Sequence, residues 1–186
     1  MKAALAGRRS CLRLGGALLG TVCVPVFAGS DTVELTGDIV YQAPDRFVHE
    51  VFKHLPKPSV IWLTPELQVQ VQLVLGHPYR QARLRYWRVD DTFAWILDEI
   101  GKEYPITAGF VVRAGTLELA RVLIYRESRG GEIQMPSFLK QFDGVKLDQH
   151  GQLSRRVDGI TGATMSVDAM QRMAKLALLL TVRAQA

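Results

Sequence analysis

Between Ala82 and Glu127 the chain runs through "ARLRYWRV", "TFAWILDEI", "PITAGFVVRAG" and "LELARVLIYRE", four β-rich segments parted only by Asp90-Asp91, "GKEY" and Ala114-Gly115. Segments joined by turns this short pair with their neighbours in sequence, which makes an antiparallel meander. Alternation of Leu84, Tyr86 and Arg88 with Arg83, Arg85 and Trp87 predicts one packed face and one wet face.

The cover for the packed face comes at the C-terminus. In "SVDAMQRMAKLALLLTVRA" the residues Val167, Met170, Met173, Ala174, Ala177, Leu178 and Leu180 form a broad apolar stripe opposite Asp168, Arg172 and Lys175. Asp168 near its start and Arg183 near its end both suit a helix dipole. "MPSFLKQFDG" predicts a short helix opened by Pro136-Ser137 and closed by Gly144. Ahead of the sheet the signals are mixed. "DRFVHEVFKHL" is spaced like a short helix and Pro56 and Pro58 mark a joint; in "TPELQVQVQLVLG", Thr64 can cap and Pro65 suits a first turn. "LQVQVQLVL" also alternates like a strand, but helix is the assignment. The fold class is α+β, an antiparallel meander packed by helices in a single domain. The divisions are 1–28, a leader; 29–80, a helical and extended segment; and 81–186, the domain that carries the chemistry.

The leader shapes how composition is read. Met1 to Arg13 holds four basic residues and no acid, and "LGGALLGTVCVPVF" follows, with Val26 and Ala28 as the small residues three and one before a cut. This is a signal-peptide pattern with the mature start at Gly29, so the expected location is the periplasm. Arg8-Arg9 also resembles a twin-arginine export signal, with Cys11 in place of the usual aromatic. The leader takes four of the 23 basic residues and none of the 18 acids, so 19 stand against 18. A whole-chain charge of +5 therefore gives no support to a nucleic-acid partner. Both cysteines, Cys11 and Cys23, fall in the leader, which leaves no thiol nucleophile, disulfide or cysteine metal site. His49, His54, His77 and His150 lack metal-ligand spacing and read as surface or loop residues. No catalytic constellation of Ser-His-Asp or paired-carboxylate type stands out.

One turn is unusual. "VDGITGATMSVDAM" crowds Thr161, Thr164 and Ser166 around Gly162-Ala163 at the entrance to the last helix. A single hydroxyl suffices to cap a helix. Free N–H groups and the positive end of the dipole make such an entrance a phosphate site, and Gly159, Gly162 and Ala163 let an anion approach closely. Physical reasoning stops at a phosphate-like anion.

At these residues the chain resembles the FMN-binding domain found in the flavin-carrying subunits of sodium-pumping NADH:quinone oxidoreductases and Rnf-type complexes. The family's motif maps onto Asp158, Gly159, Ile160, Thr161, Gly162, Ala163, Thr164, Met165 and Ser166. A second match lies in "YRESRGGEIQMPSFLKQFDG", with Glu127, Ser128 and Gly130 at a turn and Phe138, Gln141, Phe142 and Gly144 on the helix after it. Thr161 and Ser166 replace the commoner Ser and Thr but keep the hydroxyls, and Arg129 stands where Pro is frequent. The resemblance implies that Ser166 carries FMN as a phosphoester, attached by a separate flavin transferase that uses FAD and a divalent metal. Asp158 would then either assist that transferase or hydrogen-bond the turn, and Glu127 would either contact the flavin or lie solvated. The implied role is a periplasmic electron carrier between membrane or quinone-side donors and redox partner proteins. Its rivals are an FMN-dependent reductase of a small substrate and a non-redox domain with a vestigial motif.

Overall fold

A computed structural model describes residues 37–185; the leader, and the twin-arginine reading with it, lie outside these residues. The four β-rich runs are β3 (Arg83–Val89), β4 (Thr92–Ile100), β5 (Pro105–Arg113) and β6 (Thr116–Tyr125), each antiparallel to the next. The β5–β6 turn places Ala114 and Gly115 at φ 47° and 71°. Two left-handed residues in succession are what a tight hairpin matched to strand twist requires.

Two short strands complete the sheet. β1 (Ile39–Val40) pairs with β6 and β2 (Ser59–Trp62) with β3, giving the order β1-β6-β5-β4-β3-β2. Residues 39–62 thus supply both edges of the sheet. A helix stands on either side of β2 in the chain: α1 (Pro44–Phe52) before it and α2 (Pro65–Leu75) after it. At α2 the Thr64 hydroxyl accepts from the Leu67 N–H at 3.3 Å and Pro65 opens the first turn. The helix assignment holds over the alternating pattern because Leu67, Val71 and Leu75, spaced at four, are the residues that go inside.

After β6 come a 3-10 turn (Gly131–Gln134), α3 (Pro136–Leu139), a second 3-10 turn (Lys140–Phe142) and, past a long loop, α4 (Thr164–Gln185). Helix α4 lies across β4, β5 and β6, and its whole apolar stripe is buried against Phe93, Trp95, Leu97, Phe110 and their neighbours. Trp95 Nε1 donates to Thr181 Oγ1 at 2.8 Å, which gives this buried indole its polar partner. Since α4 starts at Thr164, Asp168 falls beyond the first turn and its dipole argument lapses.

The face of β3 read as wet is exposed at Arg83 and Arg85 but not at Trp87. Trp87 is buried with Ala94, Val111 and Leu123 beneath Phe47 and Val48 of α1. Gly109 permits this, because a Cβ there would stand 2.6 Å from the Phe47 ring. The sheet is packed on both faces, and β5 is buried at every position but its ends.

Candidate functional site

The crowded turn sits where α4 meets the end of β6. Gly162 has φ 83°, a left-handed conformation that brings the chain into the helix and that glycine adopts without strain. Ala163 follows at the capping position: its carbonyl accepts from the Val167 N–H at 3.0 Å, while its own N–H bonds the Ile160 carbonyl. An alanine has no oxygen to turn back on the helix. The N–H groups of Thr164, Met165 and Ser166 precede the first intrahelical bond, and among the described residues no side-chain oxygen accepts from them. Three donors and the positive dipole end are left open beside three hydroxyls.

The hydroxyls divide. Thr161 and Thr164 are exposed, whereas Ser166 is only 4% exposed. Ser166 Oγ lies 3.3 Å from the hydroxyl of Tyr125, the last residue of β6, whose O–H is also directed at the Arg129 carbonyl. With that proton so placed, Ser166 donates and the Tyr125 oxygen accepts. The simple helix-cap role for Ser166 is therefore not what its contacts describe. Tyr125 itself is buried, and desolvation, outweighing its bond to Ser166, pushes its pKa up, so it remains a phenol.

Both motifs read from the sequence meet here. Gly130, at φ 90°, has no Cβ to place 2.9 Å from the Tyr125 hydroxyl and 3.1 Å from both Ala163 Cβ and Ser166 Oγ. Gln141 Oε1 accepts from the Asp158 N–H at 2.7 Å, joining the segment after β6 to the turn before α4. Phe138 and Phe142 pack edge to face at 5.6 Å beneath. The side chain of Asp158 is exposed, and Gly159 has open space around it.

Glu127 is neither solvated nor free. Its Oε1 accepts from the backbone N–H groups of Lys102, Glu103 and Tyr104 at 2.5, 2.7 and 3.0 Å, pinning the β4–β5 turn. Burial raises its pKa, but the three N–H bonds outweigh burial and the net shift is downward. With Ser128, Arg129, Lys102 and residues 162–166 it lines a cleft of about 610 Å³. Lys102 and Arg129 add positive charge to its lining. The residues fit a phosphate group attached at or beside Ser166: open N–H donors, two cations in the same lining, and a glycine where a side chain would collide.

Sequence reasoning missed Tyr125 and the Gln141 bond. Tyr125 is an ordinary inward residue of a strand until the sheet places it under α4. Comparison with curated proteins gives no match. Residues 101–179 match the family described as FMN-binding domain. The matched segment begins at the β4–β5 turn pinned by Glu127 and runs through Ser166 into α4. The resemblance read from the sequence is thereby shown over this part of the chain: residues 101–179 match an FMN-binding domain, which supports a flavin-binding, electron-transfer role.

Proposed function

We propose that the protein is an exported electron carrier that holds one FMN through a phosphoester to Ser166 and passes electrons between a membrane or quinone-side donor and periplasmic redox proteins. The observation that carries this reading is the open N-terminus of α4, with the Ser166 hydroxyl on the wall of the cleft beside it. When bound, the flavin supplies one- and two-electron chemistry that the chain's own side chains do not.

The chain's residues do the holding. The N–H groups of Thr164, Met165 and Ser166 receive the phosphate oxygens, and Lys102 and Arg129 offset the remaining charge. Tyr125 keeps the Ser166 hydroxyl in one orientation before attachment. In the transfer, a bond forms from Ser166 Oγ to the flavin-side phosphorus of FAD, the phosphoanhydride bond breaks, AMP leaves, and the hydroxyl proton passes to the transferase or to water. Covalent attachment suits a protein outside the cytoplasm, where a dissociated cofactor is not replaced by mass action.

The test is the intact mass of the protein made in cells with an active flavin transferase and then denatured. A gain equal to FMN less one water, on the peptide holding Ser166, supports the reading; an unmodified mass overturns covalent attachment. Absorbance of the native protein then separates bound flavin from a vestigial site. Turnover of a small acceptor without any partner protein would favour the reductase.

A further inference from the structure

Past Met165 and Lys102, which line both, the Ser166 cleft adjoins a larger one of about 710 Å³ whose wall includes His77, Tyr79, Asp98, Glu99 and Arg172. Glu99, on β4, is held inside with its side chain 2% exposed. Its Oε1 meets Arg172 of α4 at 3.0 Å and His77 Nε2 at 2.9 Å. A carboxylate taken out of water needs a compensating cation, and Arg172 already supplies one. His77 is a second, whose charge is not fixed.

The surroundings of His77 favour the charged ring. Nε2 faces the Glu99 carboxylate, and Nδ1 faces the Pro78 carbonyl at 3.2 Å. Both partners only accept. A neutral imidazole has one N–H and turns a lone pair on one of them, whereas the doubly protonated ring donates to both. The bond to Glu99 raises the His77 pKa above the ordinary value, with desolvation and the Arg172 charge opposing it and Pro78 assisting. The side chain is 45% exposed, so it exchanges protons with water. The other charged groups around it are Asp98 of β4, Arg172 of α4, Lys102 of the β4–β5 turn and Arg80 of its own loop. Histidine alone among these types ordinarily titrates near neutrality. Burial, with Asp98 and Glu99 nearby, pushes the Tyr79 phenol up to about 12, so it stays neutral.

We propose that His77, set by Glu99 and Arg172, takes up a proton when the flavin is reduced, balancing the cofactor's added charge on the cleft wall and steepening the pH dependence of its reduction potential. The proposal rests on the flavin being anchored at Ser166. In balance, two electrons from a redox protein, or from dithionite in the test, go to the flavin with one proton, and a second proton from the buffer goes to His77; reoxidation returns both. His77 and Glu99 lie outside the matched segment 101–179, and Arg172 lies within it.

The experiment is a spectroelectrochemical titration of the flavin-loaded protein from pH 6 to 9, comparing wild type, His77→Gln and His77→Lys. Wild type shows a window of proton uptake beyond the flavin's own, rising toward one extra proton per two electrons, which both variants lack. At low pH wild type and His77→Lys share the higher potential, and at high pH wild type falls to His77→Gln. The span between those limits is about 30 mV for each tenfold rise in His77 proton affinity on reduction. Equal slopes in all three proteins overturn the proposal, even with flavin present on the denatured chain. Absence of flavin from wild type overturns both this proposal and the Ser166 reading. Flavin content and thermal unfolding of each variant separate lost charge from lost fold, and the Lys variant holding the higher potential is a result no merely structural role for His77 gives.

Discussion

Two helices of this protein begin beside hydroxyl residues and use them in opposite ways. At α2 the Thr64 oxygen turns back onto the Leu67 N–H, Pro65 fills the first helical position, and the end is closed by the chain itself. At α4 three hydroxyls are at hand, yet the capping position is taken by Ala163, Ser166 faces Tyr125, and three N–H groups stay open. A cap at α4 was one substitution away. The contrast separates a helix start that serves the fold from one that serves a ligand, and it says that hydroxyl content alone does not distinguish them.

The largest effect expected from breaking this contrast is at Ser166. Ser166→Ala removes the acceptor oxygen, so covalent flavin is lost entirely, read as an unmodified mass and colourless denatured protein. Ser166→Thr keeps an oxygen and retains labelling. Flavin still attached to the Ala variant after denaturation would falsify the acceptor assignment. Next comes Glu127→Ala, which leaves three N–H groups of the β4–β5 turn without their shared acceptor and costs roughly 2 kcal/mol in denaturant unfolding. The same clamp sets an acid limit. The folded pKa of Glu127 is depressed, so its contribution is present above the ordinary carboxylate value of 4.5 and fades as pH falls through the folded value. The acid limb of the stability curve is expected to flatten in the variant.

Gly130→Ala follows. A Cβ at φ 90° is strained by about 1–2 kcal/mol, and it meets Tyr125, Ala163 and Ser166 at 2.9–3.1 Å. Flavin loading should fall several-fold along with stability, because the atoms that must shift are those holding the acceptor. Thr64→Ala, the matching change at the closed helix, should leave loading untouched.

What could be read from the chain follows the range of the interactions. The meander was legible because its turns are short and its strands long, and α2 because Thr64-Pro65 is a local signal. The strands β1 and β2, of two and four residues, carry too little periodicity to be seen. Trp87 shares its face with Arg83 and Arg85, and nothing in β3 reports that α1 and Gly109 cover it. At the site, the two motifs came from resemblance, while the residues that join them did not. Tyr125 is 41 positions from Ser166 and Gln141 is 17 from Asp158. His77, read as a loop residue, is one, and its meaning comes from Glu99 and Arg172, brought from β4 and α4. Local chemistry is visible in sequence; pairings made by the sheet are not.

The smallest effect gives the finest test of the opening contrast. Ala163→Ser supplies α4 with the oxygen it lacks, at a buried position where one added atom meets Gly130, which has no side chain. If the open end is kept for a ligand, the unloaded variant gains up to about 1 kcal/mol from the new cap, as Thr64→Ala loses about that at α2. The flavin-loaded variant gains less, since phosphate and serine then compete for the same N–H groups. The quantity to measure is the difference in stability between loaded and unloaded protein, in wild type and in Ala163→Ser. A smaller difference in the variant shows that phosphate and cap share donors. An unchanged difference shows that the N–H groups of Met165 and Ser166, the ones a cap at 163 engages, do not bind the phosphate, and the distinction between the two helix starts then rests on the Ser166 hydroxyl alone.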